Sequence, residues 1–170
     1  MNDYQSCVYV WGSTAHGALG HLEGKAASKK VQPVPRRLTS PQNPNSILIG
    51  GGSAIRVAAG NGFSTCLTDG WEAYSWGRVD ADTGGVYARK NDRGGSKAGL
   101  AGSGMLRKVQ LENVANIAHG SAHTCAVTLD GEVYGWGANA HGNLGCDSSN
   151  DRNNSKSAKC YGRGGGIAGL

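Results

Sequence analysis

One short stretch occurs near both ends of this chain, and it restricts the possible fold more than any other feature. VYVWGSTAHGALG runs from residue 8 to 20 and VYGWGANAHGNLG from 133 to 145, so matching residues lie 125 positions apart. A more divergent copy, EAYSWGRVDADTGG, spans 72–85. The three copies are marked by the tryptophans Trp11, Trp76 and Trp136, which are 65 and 60 residues apart. This period predicts repeated supersecondary units that stack on one another.

Each unit is predicted to contain a β-hairpin. The blocks VAAG at 57–60 and IAHG at 117–120 precede the last two copies at an offset of 60 residues. From Thr124 to Thr128 the side chains alternate with period two, which is typical of a strand. Asp130-Gly131 then forms a tight turn, because glycine readily adopts positive φ angles, and the chain returns as a second strand. The sequence therefore predicts an all-β fold.

Glycines flank the predicted strands at matching places in the repeat. A missing Cβ permits unusual dihedral angles and close approach of backbones, which tight packing between units requires. The three repeat tryptophans are expected at equivalent core positions, and Trp71, which lies off the pattern, is the one expected at the surface. The residues assigned to the structural repeat are Trp11, Gly12, Gly20, Gly60, Trp76, Gly77, Gly120, Asp130, Gly131, Trp136, Gly137 and Gly145.

The combination of V-A-x-G, an Asp-Gly turn, E-V-Y-x-W-G and the exit A-N-A-H-G-N-L-G resembles the repeat of the regulator of chromosome condensation family. The resemblance extends from about Val8 to Gly145. It implies a β-propeller, which in this family has seven blades of about four strands. Three Trp-Gly strands describe only two to three blades, so we expect a partial β-propeller of antiparallel blades with about 60 residues per repeat. A partial ring leaves sheet edges open, which predicts either a piece of a larger protein or self-association to complete the propeller.

The sequence departs from the family pattern in two regions that set the domain boundaries. In the middle copy, the stretch 67–72 reads LTDGWE, which predicts a bulged or shifted turn, and the following loop lacks the usual exit motif. Residues 78–104 are therefore predicted to be an insertion rich in glycine and charge. We divide the chain into incomplete repeats, 1–146, and a basic tail, 147–170, whose Gly, Ser and Asn content predicts disorder.

The net charge of +5 permits contact with nucleic acid, acidic proteins or anionic surfaces. Basic residues concentrate in loops, and two histidines occupy matching Ala-His-Gly triplets in the exit loops. A turn residue copied with the repeat is the alternative interpretation of these histidines. The residues predicted to contact a partner are His16, His141, Arg89, Lys90, Arg93 and Lys97.

No motif in the chain indicates catalysis. Ser/His/Asp sets, Cys/His pairs and metal clusters at recognised spacing are lacking, and the five cysteines form no C-x-x-C pair. We therefore predict no enzyme activity, no catalytic residue, no cofactor and no metal. The polar N terminus and the lack of a long apolar run predict no membrane contact and a cytoplasmic or nuclear location. The order VYVWGSTAHGALG, then VQPVPRRL, is similar to the first blade of a mitochondrial branch of the family, which makes mitochondria the alternative location.

The functional prediction is a non-catalytic protein-interaction module, a fragment of a larger protein. The family's founding member acts on the Ran GTPase while bound to chromatin. The resemblance therefore implies, as an alternative, a guanine-nucleotide exchange factor for a Ran-type small GTPase with chromatin association. Exchange needs no covalent chemistry, because a surface that binds the nucleotide-free GTPase more tightly shifts the equilibrium. Contact of the basic loops with nucleic acid is a third hypothesis, and such binding weakens steeply with salt.

Overall fold

The computed structural model describes residues 6–20, 31–39, 49–77, 106–109, 111–137, 141–144 and 158–159. Within these ranges the chain forms ten strands in three antiparallel sheets, with one short 3-10 helix, Ala15–Gly17. The predicted all-β class is confirmed. The insertion predicted at 78–104 lies outside the described residues, and so does the tail predicted at 147–170, apart from residues 158–159.

The first unit contributes a two-stranded sheet. β1 (Tyr9–Ser13) pairs antiparallel with β2 (Val31–Arg37), and the 3-10 helix follows β1. The ladder is irregular between Val10 and Gly12, at the Trp-Gly step. Among the described residues, the other edge of β1 has no strand partner.

The second and third units are four-stranded sheets with the strands in sequential order. The second unit consists of β3 (Ala54–Ala59), β4 (Phe63–Thr68), β5 (Ala73–Gly77) and β6 (Arg107–Lys108). The third unit consists of β7 (Val114–His119), β8 (His123–Thr128), β9 (Val133–Gly137) and β10 (Ala158–Lys159). Since β1, β5 and β9 all carry Trp-Gly, the described strands of the first unit are counterparts of the third and fourth strands of a complete unit.

The two hairpin turns share one backbone conformation although their sequences are shifted by one residue. In the third unit, the N–H of Thr128 donates to the carbonyl of Glu132 (2.9 Å), and the N–H of Gly131 donates to the carbonyl of Thr128 (3.0 Å). Thr68 and Trp71 make the corresponding bonds in the second unit. Trp71 thus occupies the glycine position, with a φ of 60° against 79° for Gly131. The prediction of a bulged or shifted turn is therefore wrong: the turn has the same length and position in both units, and only the Asp-Gly dipeptide lies one residue earlier in the second.

The hydrophobic core lies at the junctions between units. One cluster joins the first unit to the second and the other joins the second to the third, so each unit is buried by its neighbour. The first cluster contains Val8, Val10, Leu38, Ile49, Cys66, Trp76 and Leu106. The second cluster contains Leu67, Ala73, Val109, Val114, Ile117, Ala126 and Trp136.

Candidate interaction site at the unit junctions

Trp76 organises the junction between the first and second units. Its side chain is 2% exposed, and its Nε1–H donates to the carbonyl oxygen of Ala18, 3.1 Å away. Ala18 lies in the segment 15–20 after β1, which we call the first exit loop. A Cβ on Gly20, at the end of this loop, would lie 2.9 Å from the indole and 2.7 Å from Leu38 Cδ1. Only glycine lets the loop approach the indole this closely.

The junction between the second and third units contains a buried imidazole. His119 Nδ1 lies 2.8 Å from Thr124 Oγ1 and its Nε2 lies 2.9 Å from Thr65 Oγ1, so the ring bonds a hydroxyl in each sheet. The ring of Phe63 meets the imidazole edge to face, with centroids 4.8 Å apart. Burial, followed by the neighbouring His123, lowers the pKa of His119 to about 4. The imidazole is therefore neutral at pH 7.

A chain of hydroxyl groups fixes the direction of these hydrogen bonds. The hydroxyl of Thr65 donates to Ser75 Oγ (3.2 Å), and the hydroxyl of Ser75 donates to the carbonyl of Ser64 (3.1 Å). Because the Thr65 proton is used in this way, Nε2 of His119 carries the proton that Thr65 accepts, and Nδ1 accepts from Thr124. The imidazole is held in one tautomer by bonds to both sheets, which is a structural role.

A tyrosine–glutamate pair recurs in the second and third units. The phenol O–H groups of Tyr74 and Tyr134 each donate to Oε2 of the glutamate two residues earlier, Glu72 or Glu132, at 2.7 Å. Glu72 also forms an ion pair with Lys108 of β6. The hydrogen bonds from Lys108 and then Tyr74 lower the pKa of Glu72, so this carboxylate stays charged. The ion pair between Glu72 and Lys108 links the third and fourth strands of the second unit. The tyrosine–glutamate pair does not resemble an acid–base site.

The exposure of Trp11 corrects one prediction. Its side chain is 60% exposed, whereas the matching Trp136 is 6% exposed. The expectation of three equivalent core tryptophans is therefore wrong for Trp11. In the described residues, no exit loop lies over Trp11 in the way that the first exit loop lies over Trp76. Trp71, which was expected at the surface, is 40% exposed.

The glycine after each repeat tryptophan has the same backbone conformation. Gly12, Gly77 and Gly137 have φ angles of 104°, 102° and 103°, which favour glycine over residues with a Cβ. A Cβ on Gly77 would lie 2.6 Å from Phe63 Cα in the adjacent strand, whereas a Cβ on Gly12 would meet nothing within 4 Å. The units thus share the conformation and differ in what surrounds it.

The remaining predicted residues lie at matching turns or outside the described ranges. Gly60 and Gly120 lie in the turns before β4 and β8, and Asp130 lies with Gly131 in the turn before β9. His16 lies in the first exit loop, and His141 is exposed at the matching place in the third unit. The predicted residues outside the described ranges are Arg89, Lys90, Arg93, Lys97 and Gly145.

Two sets of contacts were not predicted from the sequence. Oδ1 of Asp69 accepts the N–H of Ser53 at 3.0 Å, and the N–H of Asp69 donates to the carbonyl of Ser53 at 2.9 Å. The histidine that bonds across the junction between the second and third units is His119. A histidine where the second unit has Ala59 was the one sequence signal for that role.

The chemistry of the described interior is structural. Burial raises the pKa of the Cys66 thiol to about 12, which keeps it protonated and unreactive. The described residues contain no group of three or more His, Cys, Asp or Glu side chains placed to hold a metal ion. They also contain no helix with the length and apolar character needed to cross a bilayer.

Two models of one repeat family match the chain. Residues 5–67 and 130–157 match one model of the Regulator of chromosome condensation (RCC1) repeat, and residues 114–143 match another. The first of these models alone covers more than half of the 170 residues. The fold is a partial β-propeller of antiparallel sheets, and the chain belongs to the RCC1 repeat family.

Relatives with this repeat have diverse names. The chain is 32% identical over 143 residues to E3 ubiquitin-protein ligase HERC2 of Mus musculus, which covers 84% of this chain and 2% of that protein. It is 30% identical over 143 residues to RCC1 domain-containing protein RUG3, mitochondrial, of Arabidopsis thaliana, covering 84% and 28%. The crystal structure of Prp20p from Saccharomyces cerevisiae matches with a TM-score of 0.58 and 23% identity, covering 77% and 29%. The chain thus spans less than a third of the length of each of these proteins.

Proposed function

We propose that the chain is a non-catalytic protein-interaction module of a larger protein. The observation that carries this proposal is the exposed indole of Trp71, which stands on a turn fixed by backbone bonds. The carbonyl of Trp71 accepts the N–H of Val114 at 2.9 Å, so the turn is anchored to the third unit. Exposed tryptophans on rigid elements are frequent energetic centres of protein interfaces.

The backbone of Trp71 adds a second argument. A φ of 60° is unfavourable for a residue with a Cβ, by about 1–2 kcal/mol, and the third unit has glycine at this position. A tryptophan that replaces glycine in a left-handed conformation is a stability cost without a structural need. Such costs are concentrated at functional positions. We therefore assign the contact with a protein partner to this turn.

The variant Trp71→Gly tests the proposal, because it removes the indole and restores the glycine of the third unit. We expect the immobilised variant to lose the proteins that the wild-type chain captures while its thermal midpoint stays unchanged. Leu129→Ala is the matched control, since Leu129 is an exposed apolar residue on the other hairpin turn. Capture of the same proteins by Trp71→Gly would contradict the proposal.

The alternative is guanine-nucleotide exchange on a Ran-type small GTPase, with chromatin association. It is supported by family membership and by the Prp20p structure, which is described together with binding to Gsp1p and histones. We expect no acceleration of fluorescent nucleotide release from a loaded GTPase by this chain, since it matches only 29% of the Prp20p chain. Acceleration would favour the alternative. Direct binding to duplex DNA is tested by titration at two salt concentrations, where a steep loss with salt would support it.

The proposed location is the cytoplasm or the nucleus, with mitochondria as the alternative. RUG3, at 30% identity, is named as mitochondrial, which supports the alternative. Fractionation of cells that express the protein with a C-terminal tag distinguishes the two.

Self-association to complete the propeller is the remaining part of the proposal. Units of a repeat stack bury their apolar faces against neighbours, and terminal units need a polar cap. Val133 is an exposed apolar residue on the outer side of the third unit, so the described stack lacks such a cap there. A second copy of the chain would cover this side chain.

A further inference from the structure

The first exit loop is a socket for the tryptophan of the next unit. Two features make it one: the carbonyl of Ala18 accepts the indole N–H, and Gly20 leaves room for the ring. Where Trp76 lies against the loop, Gly17, Ala18 and Leu19 are half-buried. This junction provides a template for how one unit receives another.

The third unit repeats this loop after β9. Residues 141–144, which we call the third exit loop, correspond to 16–19 at the offset of 125 residues. The φ angles of Gly17 and Gly142 are 69° and 72°, so the two loops share the left-handed step. Asn143 occupies the place of Ala18, whose carbonyl binds Trp76. Gly142 and Asn143 are exposed, in contrast to their half-buried counterparts.

Trp11 presents an indole that is not covered in this way. It precedes Gly12, whose φ matches that of Gly77 within 2°, so the backbone that positions Trp76 recurs at Trp11. The side chain of Trp11 is nevertheless mostly exposed. The described residues therefore include an exposed tryptophan in the first unit and, in the third, an exit loop in which Gly142 and Asn143 are exposed while Leu144 is buried.

An apolar side chain is exposed on the outer side of the third unit. Val133 matches Ala73, which is buried in the cluster shared with the third unit, so Val133 lies on the outer side of the third unit. This side of the third unit thus offers apolar surface of the kind that the second unit buries against the third.

We propose that two copies of this chain associate end to end, with Trp11 of one copy seated in the third exit loop of the other. The Nε1–H of Trp11 donates to the carbonyl of Asn143 of the second copy, as Trp76 donates to Ala18. This contact depends on the proposed self-association and specifies its geometry. It joins two different surfaces, so it forms a ring if the rotation closes and a longer chain if it does not.

The test is the molar mass of the whole chain in solution, measured by sedimentation velocity over a wide range of concentrations. We expect the mass to rise with concentration for the wild type. Trp11→Ala is expected to weaken the association by at least about 30-fold, the loss typical of a central tryptophan in an interface. Trp71→Ala removes an exposed tryptophan away from both ends and is expected to associate like the wild type.

A mixture of two complementary variants distinguishes loss of the contact from misfolding of a variant. Trp11→Ala lacks the indole and keeps the loop, whereas Gly142→Val keeps the indole and distorts the loop, since a β-branched residue disfavours a φ of 72°. Each is expected to remain monomeric alone. A mixture of the two retains one intact contact per pair, so we expect a heterodimer that grows no further.

The outcomes separate the contact from self-association itself. A wild type that stays monomeric at every concentration overturns both proposals. Association of Trp11→Ala with wild-type strength, or a mixture of the two variants that stays monomeric, overturns the Trp11 contact alone.

Discussion

Val57 and Ile117 hold the same place in the first strands of the second and third units, yet Val57 is 60% exposed and Ile117 is 4% exposed. The difference lies in their neighbours. Ile117 packs against the complete sheet of the second unit, while Val57 faces the first unit, in which two strands are described. Two similar aliphatic side chains in similar strands therefore contribute differently to stability, because burial in a repeat stack depends on the adjacent unit.

The tryptophans of the first two units also differ in exposure, because a loop covers only one of them in the described residues. Trp76 is covered by the first exit loop, and Trp11 lies in a strand whose other edge is unpaired among the described residues. The junction between the first and second units is thus closed around Trp76, and the surface around Trp11 is open. Four experiments test this contrast.

The largest expected effect is the loss of Trp76. Trp76→Ala should lower the free energy of unfolding by about 3–5 kcal/mol, because it removes a buried indole and leaves a cavity at the first junction. Trp11→Ala, on an exposed side chain, should change it by no more than about 0.5 kcal/mol. Urea denaturation of dilute samples measures both. Equal losses would remove the distinction between the closed and open surfaces.

The next largest effect on stability is expected at Gly77, compared with Gly12. Gly77→Ala and Gly12→Ala share the cost of a positive φ, about 1–2 kcal/mol. Gly77→Ala adds a collision with Phe63 Cα, and such overpacking costs about 1–3 kcal/mol more. We expect Gly77→Ala to be the more destabilising in the same denaturation experiment. A larger loss for Gly12→Ala would mean that a strand already lies beside β1.

Acid should weaken the junction between the second and third units, because it protonates His119. Its folded pKa of about 4 lies below the usual 6.5, so its contribution is complete above pH 6.5 and declines as the pH falls towards 4. The full loss amounts to about 3 kcal/mol at 1.36 kcal/mol per pH unit. His119→Ala, which restores the residue of the second unit, should flatten the pH dependence of unfolding in this window. An unchanged pH profile would contradict a neutral buried imidazole.

The smallest expected effect on stability is at Trp71, in the turn before β5. Trp71→Gly relieves a positive φ, but it removes the remaining contacts of the exposed ring and increases the conformational entropy of the unfolded chain. These contributions oppose each other, so we expect a change in the free energy of unfolding within about 1 kcal/mol. A loss well above that value would show that the Trp71 ring supports the fold, and would weaken its assignment to a partner.

Features that depend on a few adjacent residues could be predicted from the sequence. The period-two pattern of β8 and the turn before β9 follow from local preferences, and the structure has both. The exposure of Trp11 could not be predicted, because its repeat motif matches that of Trp136 and only the neighbouring unit differs. The bond between Asp69 and Ser53 and the network of His119 join segments far apart in sequence. A turn motif or a repeat alignment carries no information about such pairs.

Oxidation of individual tryptophans by a mild indole-specific reagent tests directly whether neighbouring units bury each other's tryptophans. Mass spectrometry of dilute native protein can follow Trp11, Trp71, Trp76 and Trp136 separately. If units bury each other at closed junctions, Trp11 and Trp71 are oxidised rapidly, and Trp76 and Trp136 are protected until the chain unfolds. Oxidation of Trp76 as fast as Trp11 would contradict stacking of the first unit on the second.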